Sequence, residues 1–318
     1  MSAALAAELK SFAVRTLGFD LVGVTGAEPL QGGRRLALWV QAGAHGDMAY
    51  MAETAAVRSD PGRFLEGARS VVCVAMSYHE PVEAPETGPA GERAVVARYA
   101  RRRDYHAAIR SRLVRLGRFL AARAPGTMWR PAVDTAPVLE KELAQRAGLG
   151  WIGKNTCLIN RHLGSELLLG ELVTTLPLPP DDPETDHCGT CTACLEACPT
   201  GAFDAPRVLD ARRCISYATI EHRGEFPEAA LPGLGAHVFG CDVCQAVCPW
   251  NRRAAASCNA ALPTRPRLGA LTRTELAALD GAGWAAVSAG TPLRRLDFPR
   301  LRRNLEAVAE AVRRAEAK

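Results

Sequence analysis

The sequence predicts an α+β protein in two unequal parts followed by a helical segment, and three observations carry that expectation. Helical and strand-like patterns alternate up to about residue 175; nine of the eleven cysteines crowd between Cys188 and Cys258; after Pro263 the chain is rich in Ala, Leu and Arg at helical spacing. At 318 residues with 48% hydrophobic content, the chain is long enough for more than one domain and for a large core.

Taken in order, the opening MSAALAAELKSFAVRTLGFD sets Glu8, Lys10 and Arg15 among apolar positions, the pattern of an amphipathic helix rather than of a signal peptide. No uninterrupted apolar run is long enough to cross a bilayer. The expectation is therefore a soluble, cytoplasmic protein without a membrane partner, in which thiols stay reduced and cysteines serve as ligands rather than disulfides. Strands are predicted at 21–25, 70–77, 130–134, 156–160 and 167–175. Helices are predicted over 104–124, where Ile109, Leu113, Leu116 and Leu120 share a face, and over 137–147. These make residues 1–175 an α/β or α+β domain. LPLPPDDPETDH, Leu176 to His187, concentrates proline and acid and reads as an extended connector. The boundaries that follow are 1–175, 176–260 and 261–318.

The strongest motif is Cys188-x2-Cys191-x2-Cys194-x3-Cys198-Pro199, the run of bacterial ferredoxins. Three thiolates at this spacing wrap one 4Fe-4S cubane and the fourth, before proline, turns to the other. A shortened copy follows, Cys241-x2-Cys244-x3-Cys248-Pro249. The same crossing rule assigns Cys188, Cys191, Cys194 and Cys248 to one cluster, and Cys198, Cys241 and Cys244 to the second. Cys214, lying between the motifs, is the candidate for the eighth ligand. Cys73 and Cys157 fall in apolar strand patterns and read as buried thiols, and Cys258 has no assignment. Structural zinc is the competing reading, but zinc ribbons use separated pairs rather than a three-plus-one run ending in proline.

Beyond the cysteines, the strings DTAPVLEKELAQRAGLGWIGKNTCLI (Asp134 to Ile159), SELLLGEL, ISYATIEHRG and FGCDVCQAVCPWN, with VRSDP and RYARRRDYH upstream, resemble the epoxyqueuosine reductase family over nearly the whole chain. The resemblance implies an N-terminal α/β cobalamin-binding domain, a bacterial-ferredoxin-like domain with two 4Fe-4S clusters, and a short helical C-terminal segment. It implies reduction of epoxyqueuosine to queuosine in the anticodon loop of tRNA, at the wobble position, the last step of queuosine biosynthesis. It also implies cobalamin recharged one electron at a time, with a flavodoxin or ferredoxin as donor. By the same resemblance Asp134 is the catalytic acid and a cofactor contact, and Arg58, Lys154, Asn155, Ser165, Ser216 and Tyr217 line the cobalamin pocket. The chain has no Asp-x-His-x-x-Gly motif, so cobalt is expected without that histidine ligand. Arg102 stands where the family usually has Gly, Ala97 where it has a polar or thiol residue, and the helical-repeat tail of longer members is absent.

To donate a proton, Asp134 needs a pKa raised above about 3.9 by burial or a negative neighbour. The residue-level alternative is that Asp-Thr-Ala-Pro caps the following helix, which would keep it ionised. Gly148-x4-Gly153-Lys154-Asn155 mimics a phosphate-binding loop, but Asn155 replaces the hydroxyl residue and a helix, not a strand, precedes it. His222 is a candidate near substrate and His106 a weaker one, each against a structural role. Arginines cluster at 98, 101, 102 and 103 and again at 294, 295, 300, 302 and 303, as phosphate contacts or as solvated faces. Rival functions are a corrinoid reductive dehalogenase, lowered by the missing twin-arginine leader, and a plain electron-transfer module, which leaves the first 175 residues unexplained.

Overall fold

The computed structural model describes residues 2–80 and 92–316. The N-terminal part is built on helix α1 (Ser2–Arg15), strands β1 (Leu21–Gly26) and β2 (Ser70–Ser77), helix α2 (Tyr105–Arg123), strand β3 (Trp129–Ala132), helix α3 (Glu140–Arg146) and strand β4 (Leu167–Thr174). The strands form one sheet in the order β1-β2-β4-β3, antiparallel at every pairing. Of the two possibilities the sequence left for this part, the antiparallel sheet selects α+β.

Both faces of the sheet are covered, which is why every residue of β2 is buried. Helices α1 and α2 lay Leu9, Ile109, Leu113 and Leu116 over Val72, Val74 and Leu172 on one face. On the other, α3 sets Leu143 and Ala144 against Val71, Cys73, Ala75 and Val173. Gly170 admits α2 to this contact: a Cβ there would lie 2.5 Å from Ile109 Cγ2. Cys73 is a core residue, as its strand pattern predicts.

Three of the predicted elements are shorter than expected. Strand β3 stops at Ala132 and α3 begins only at Glu140. The predicted 156–160 strand reduces to Leu158–Ile159, hairpinned with Trp151–Ile152. That antiparallel hairpin, with no helix after it, confirms that the 148–155 glycines do not form a phosphate loop.

The cysteine-bearing part follows the extended 176–187 connector and has little regular structure beyond α4 (Ile215–Ile220) and short turns. The last helix, α5 (Phe298–Glu316), buries Leu301, Leu305 and Val308 in a second core with Ile215, Ile220 and Phe239. Residues from the first part enter this core: Val95–Val96 pairs in parallel with His237–Phe239, and Ala94 and Ala100 are buried beside them. The 94–101 segment thus ties the sheet part to the cysteine part, in front of the site.

Among the described residues no helix is long and apolar enough to cross a membrane.

Candidate active site and thiolate clusters

The two cysteine motifs fold as similar short turns, Ala193–Glu196 and Val243–Ala246, that pack on each other and bring thiols from both motifs together. A cavity of about 220 Å³ is lined by Cys188, Cys191, Cys194 and Cys248. Burial and the neighbouring thiols Cys248, Cys188 and Cys191 push the Cys194 thiol up to about 11. In the second group burial, with Cys214 and Cys198 nearby, pushes Cys241 up to about 12. Cys244 is raised by a hydrogen bond with Cys157, by burial, and by Cys241 and Cys214. The structure thus brings Cys188, Cys191, Cys194 and Cys248 round one cavity and sets Cys198, Cys214, Cys241 and Cys244 near one another.

These sites suit thiolate ligands of a cationic cluster. Crowded thiols resist ionising by themselves, and bound iron reverses that balance. N–H donors are already aimed at the sulfurs: Trp151 Nε1 at Cys188 Sγ (3.5 Å) and the Ala202 amide at Cys198 Sγ (3.3 Å). Backbone amides of Trp250 and Asn251 face Cys248, and those of Ser216 and Tyr217 face Cys214. Such N–H···S bonds are one of the means by which a protein sets a cluster's potential. Cys157 departs from expectation: it lies against Cys244, at the edge of the second set, rather than in a strand core. Its position depends on a turn through Thr156, held at φ 66°, which the apolar pattern around it concealed.

Asp134 does not cap a helix. It lies between β3 and α3 with φ 45°, in the left-handed region that few non-glycine residues adopt, although aspartate tolerates it better than most. Three contacts hold it there. Its amide donates to Glu140 Oε1 at 2.6 Å, its Oδ2 lies 2.9 Å from His106 Nε2, and the Tyr105 phenol faces the same carboxylate. The side chain keeps 42% exposure although protein surrounds it on most sides, so it borders an open bowl. Tyr50, Arg58, Tyr99 and Arg295 are its other polar neighbours.

The electrostatics correct one expectation. Burial works to raise the Asp134 pKa, but the His106 hydrogen bond and charge, with Arg295 and Tyr105, outweigh it and hold the carboxyl below its usual value. His106 is shifted the opposite way. Burial opposes the charge there, yet Asp104 and Asp134 raise it to about 9. Glu140 is raised to about 7 by burial and by the charge of Asp134. His106 was the weaker of two histidine candidates. The signal that could have promoted it is Asp104 two residues earlier, which caps α2 and binds the ring as well.

The other predicted cofactor residues divide among several tasks. Arg58 is buried, its Nε donating to Thr54 Oγ1 at 2.8 Å, and it faces Asp134 and Tyr50. Lys154 Nζ donates to the carbonyls of Gly189 (2.7 Å) and Cys191 (2.9 Å), holding the first cysteine loop. Asn155 donates to Cys244 O (3.4 Å), and Ser165 to Gln245 Oε1 (3.0 Å), which places both against the second motif. Tyr217 Oη accepts the Asp47 amide at 2.8 Å across Gly46, whose φ of 57° and closeness to the phenol leave no room for a side chain. His222 is clamped between Asp47 Oδ2 (2.6 Å) and Glu225 O (2.7 Å), a structural engagement.

The bowl and the second thiolate set are neighbours. Buried Tyr99 faces both Asp134 and Asp242, the residue between Cys241 and Val243, and Lys141, beside Glu140, donates to Thr156 O at 2.9 Å next to Cys157. A corrinoid held between them would meet the guanidinium of Arg58 and the amide of Asn155, both donor groups. It would take no imidazole from His106 or His222, whose ring nitrogens are all engaged. Arg58 and Asn155 thus offer donors that fit the carbonyls of a corrinoid's amide side chains.

The first arginine cluster is not a phosphate face. Arg98, Arg101 and Arg102 are buried, Arg98 paired with Glu166 and Arg102 with Glu80 (2.9 Å), leaving Arg103 exposed. In the second, Arg300 and Arg303 satisfy the carbonyls of Ile220 (2.7 Å) and Ala218 (2.8 Å) at the end of α4, and Arg295 pairs with Glu221 at 2.8 Å. Arg294 remains exposed, beside Asp104.

Comparison with known proteins bears on both centres. Residues 187–251 match the 4Fe-4S double cluster binding domain, and residues 58–135 match epoxyqueuosine reductase QueG, DUF1730. The chain is 44% identical over 302 residues to the epoxyqueuosine reductase of Xanthomonas campestris pv. campestris, covering 94% of this chain and 85% of that one. It is 44% identical over 313 residues to that of Gloeobacter violaceus, covering 96% of each. A crystal structure of epoxyqueuosine reductase with an epoxyqueuosine-modified tRNA-Tyr stem loop superposes with a TM-score of 0.85 at 29% identity, over 97% of this chain and 81% of that one.

Proposed function

The chain belongs to the epoxyqueuosine reductase family, and from that membership together with its two sets of four thiols we infer that it reduces epoxyqueuosine to queuosine at the wobble position of tRNA, in the cytoplasm. The observation that carries the reading is 44% identity across 94% of the chain to a reductase of this name, supported by eight cysteines that lie in two groups. It disfavours a reductive dehalogenase, and the Asp134 bowl disfavours a bare electron carrier.

In this reading residues 1–175 hold the cobalamin and the modified base, residues 176–260 hold the clusters, and residues 261–318 close the bowl through Arg295. Cys198, Cys214, Cys241 and Cys244 hold the cluster nearer the bowl. Cys188, Cys191, Cys194 and Cys248 hold the outer one, where a flavodoxin or ferredoxin delivers electrons. Arg58, Asp134 and Asn155, with Lys154, Ser165, Ser216 and Tyr217 on the surrounding loops, hold cobalamin. The chemistry a bound cobalamin supplies is reducing power at low-valent cobalt, renewed singly through the clusters.

The chain's own task is protonation. Opening the epoxide and expelling its oxygen as water needs two protons, and Asp134, exposed on the bowl, gives one to the departing oxygen. Arg103 and Arg294, exposed members of the two arginine clusters next to Asp104 in sequence and in space respectively, contact tRNA phosphates, positioning the stem loop without reading its bases.

The test is conversion. Protein reconstituted anaerobically with iron, sulfide and cobalamin, given a strong reductant and an epoxyqueuosine stem loop, is expected to yield the product lacking one oxygen by mass. Fully loaded protein that leaves the stem loop unchanged would refute the assignment.

A further inference from the structure

We infer that His106 holds the proton that Asp134 delivers, so that Asp104, His106 and Asp134 form a proton store for the reduction. The inference rests on the reading of Asp134 as the group that meets the departing oxygen, and adds a residue that acts through it.

The geometry sets the protonation state. His106 Nδ1 lies 2.7 Å from Asp104 Oδ1, and Nε2 lies 2.9 Å from Asp134 Oδ2. A carboxylate only accepts, so two carboxylates facing the two ring nitrogens call for an N–H on both, which is the imidazolium. Asp104 is kept in place and ionised by a second duty: it caps the 19-residue α2 and accepts the His106 amide at 3.0 Å. The Tyr105 ring stacks on the imidazole at 4.2 Å and fixes its plane. The other charged or titratable neighbours are Arg294 beside Asp104, and Arg58, Arg295, Glu140, Tyr50 and Tyr99 beside Asp134. The shifts already described, His106 up and Asp134 down, agree with this placement.

An ionised Asp134 has no proton to give, so the one it delivers must first cross from His106. When a stem loop covers the bowl and excludes water, the separated charges lose solvation and the neutral pair, imidazole and carboxylic acid, becomes accessible. The proton moves from Nε2 to Oδ2 along the existing hydrogen bond and from there to the epoxide oxygen. Across the whole reaction two C–O bonds break, a C=C bond forms, the oxygen leaves as water, and two electrons from the reductant and two protons are consumed. His106 supplies the first proton; the second follows the same route after His106 is reprotonated from solvent on its Nδ1 side, where Asp104 is partly exposed.

Two measurements test this. In the cluster-loaded wild-type enzyme, ¹⁵N chemical shifts of the His106 ring are expected to report a doubly protonated imidazole at pH 7, titrating near 9, with a lower transition in Asp134→Asn. A neutral His106 tautomer at pH 7 would overturn the inference and needs no variant that folds. In turnover, His106→Gln is expected to lower kcat by ~100-fold while KM for the stem loop stays within about twofold, and to abolish the loss of wild-type kcat above about pH 9. If Asp134→Asn stays active, the underlying reading of Asp134 fails. If Asp134→Asn is inactive while His106→Gln keeps the wild-type kcat and pH profile, only the role of His106 fails.

Discussion

Asp134 and Glu171 are two carboxyls with opposite fates, and each can be tested alone. Asp134 is ionised, partly exposed and held by an imidazolium. Asparagine tolerates the same left-handed backbone, so Asp134→Asn isolates the charge. It is expected to keep its full iron content and lose turnover by ~100-fold or more; activity within a fewfold of wild type would remove Asp134 from the chemistry. Glu171 sits in the middle of β4, fully buried, with neither carboxyl oxygen hydrogen-bonded, and burial together with Glu140 raises its pKa far above the usual value. The folded protein must keep this group protonated. Stability tied to it is present below the ordinary carboxyl pKa and declines as pH rises above it, by about 1.4 kcal/mol for each pH unit over which the folded state holds the extra proton. Glu171→Gln is therefore expected to match wild type near pH 4 and to melt at a higher temperature at pH 8. Equal melting temperatures at pH 8 would show that the carboxyl finds a partner.

At the scale of elements, the sheet was legible because its strands obey burial periodicity: β1, β2 and β4 lie where alternation and apolar runs placed them, and α2 shows its buried stripe directly. The site was legible only in part. Seven of the eight thiols that the structure brings into two groups were picked out by motif spacing, whereas Cys214, outside both motifs, was only a candidate by its position between them. By contrast, Asp134 was misread as a possible cap because the turn between β3 and α3 is longer than its sequence suggests, with Glu140 rather than a cap residue receiving the Asp134 amide. Tyr99 and Arg295 could not be anticipated, because contacts between residues so distant in sequence leave no periodic trace. The crossing makes a prediction at this scale. Cys248→Ala, although in the second motif, is expected to remove the outer cluster and about half the iron, leaving the cluster of Cys198, Cys214, Cys241 and Cys244. Loss of both clusters, or of the inner one, would break the interleaved assignment.

For the whole molecule, the sheet part contributes a protonated histidine and an ionised aspartate, the cysteine part contributes two metal-binding sets, and the 94–101 segment packs them together. His106, raised to about 9, contributes stability that is complete below pH 6.5 and lost as pH rises through 9. Glu140, raised to about 7, likewise favours the folded state at lower pH, its contribution declining from about pH 4.5 to 7. The anaerobic, cluster-loaded protein is therefore expected to lose stability steadily from pH 5 to 9, as followed by thermal melts; a rising or flat profile would contradict these assignments. What the proposed reduction requires above all is that the eight thiolates hold iron. Analysis of iron, acid-labile sulfide and zinc in anaerobically purified protein is expected to give about eight irons and about eight sulfides per chain, and stoichiometric zinc with little iron would contradict it.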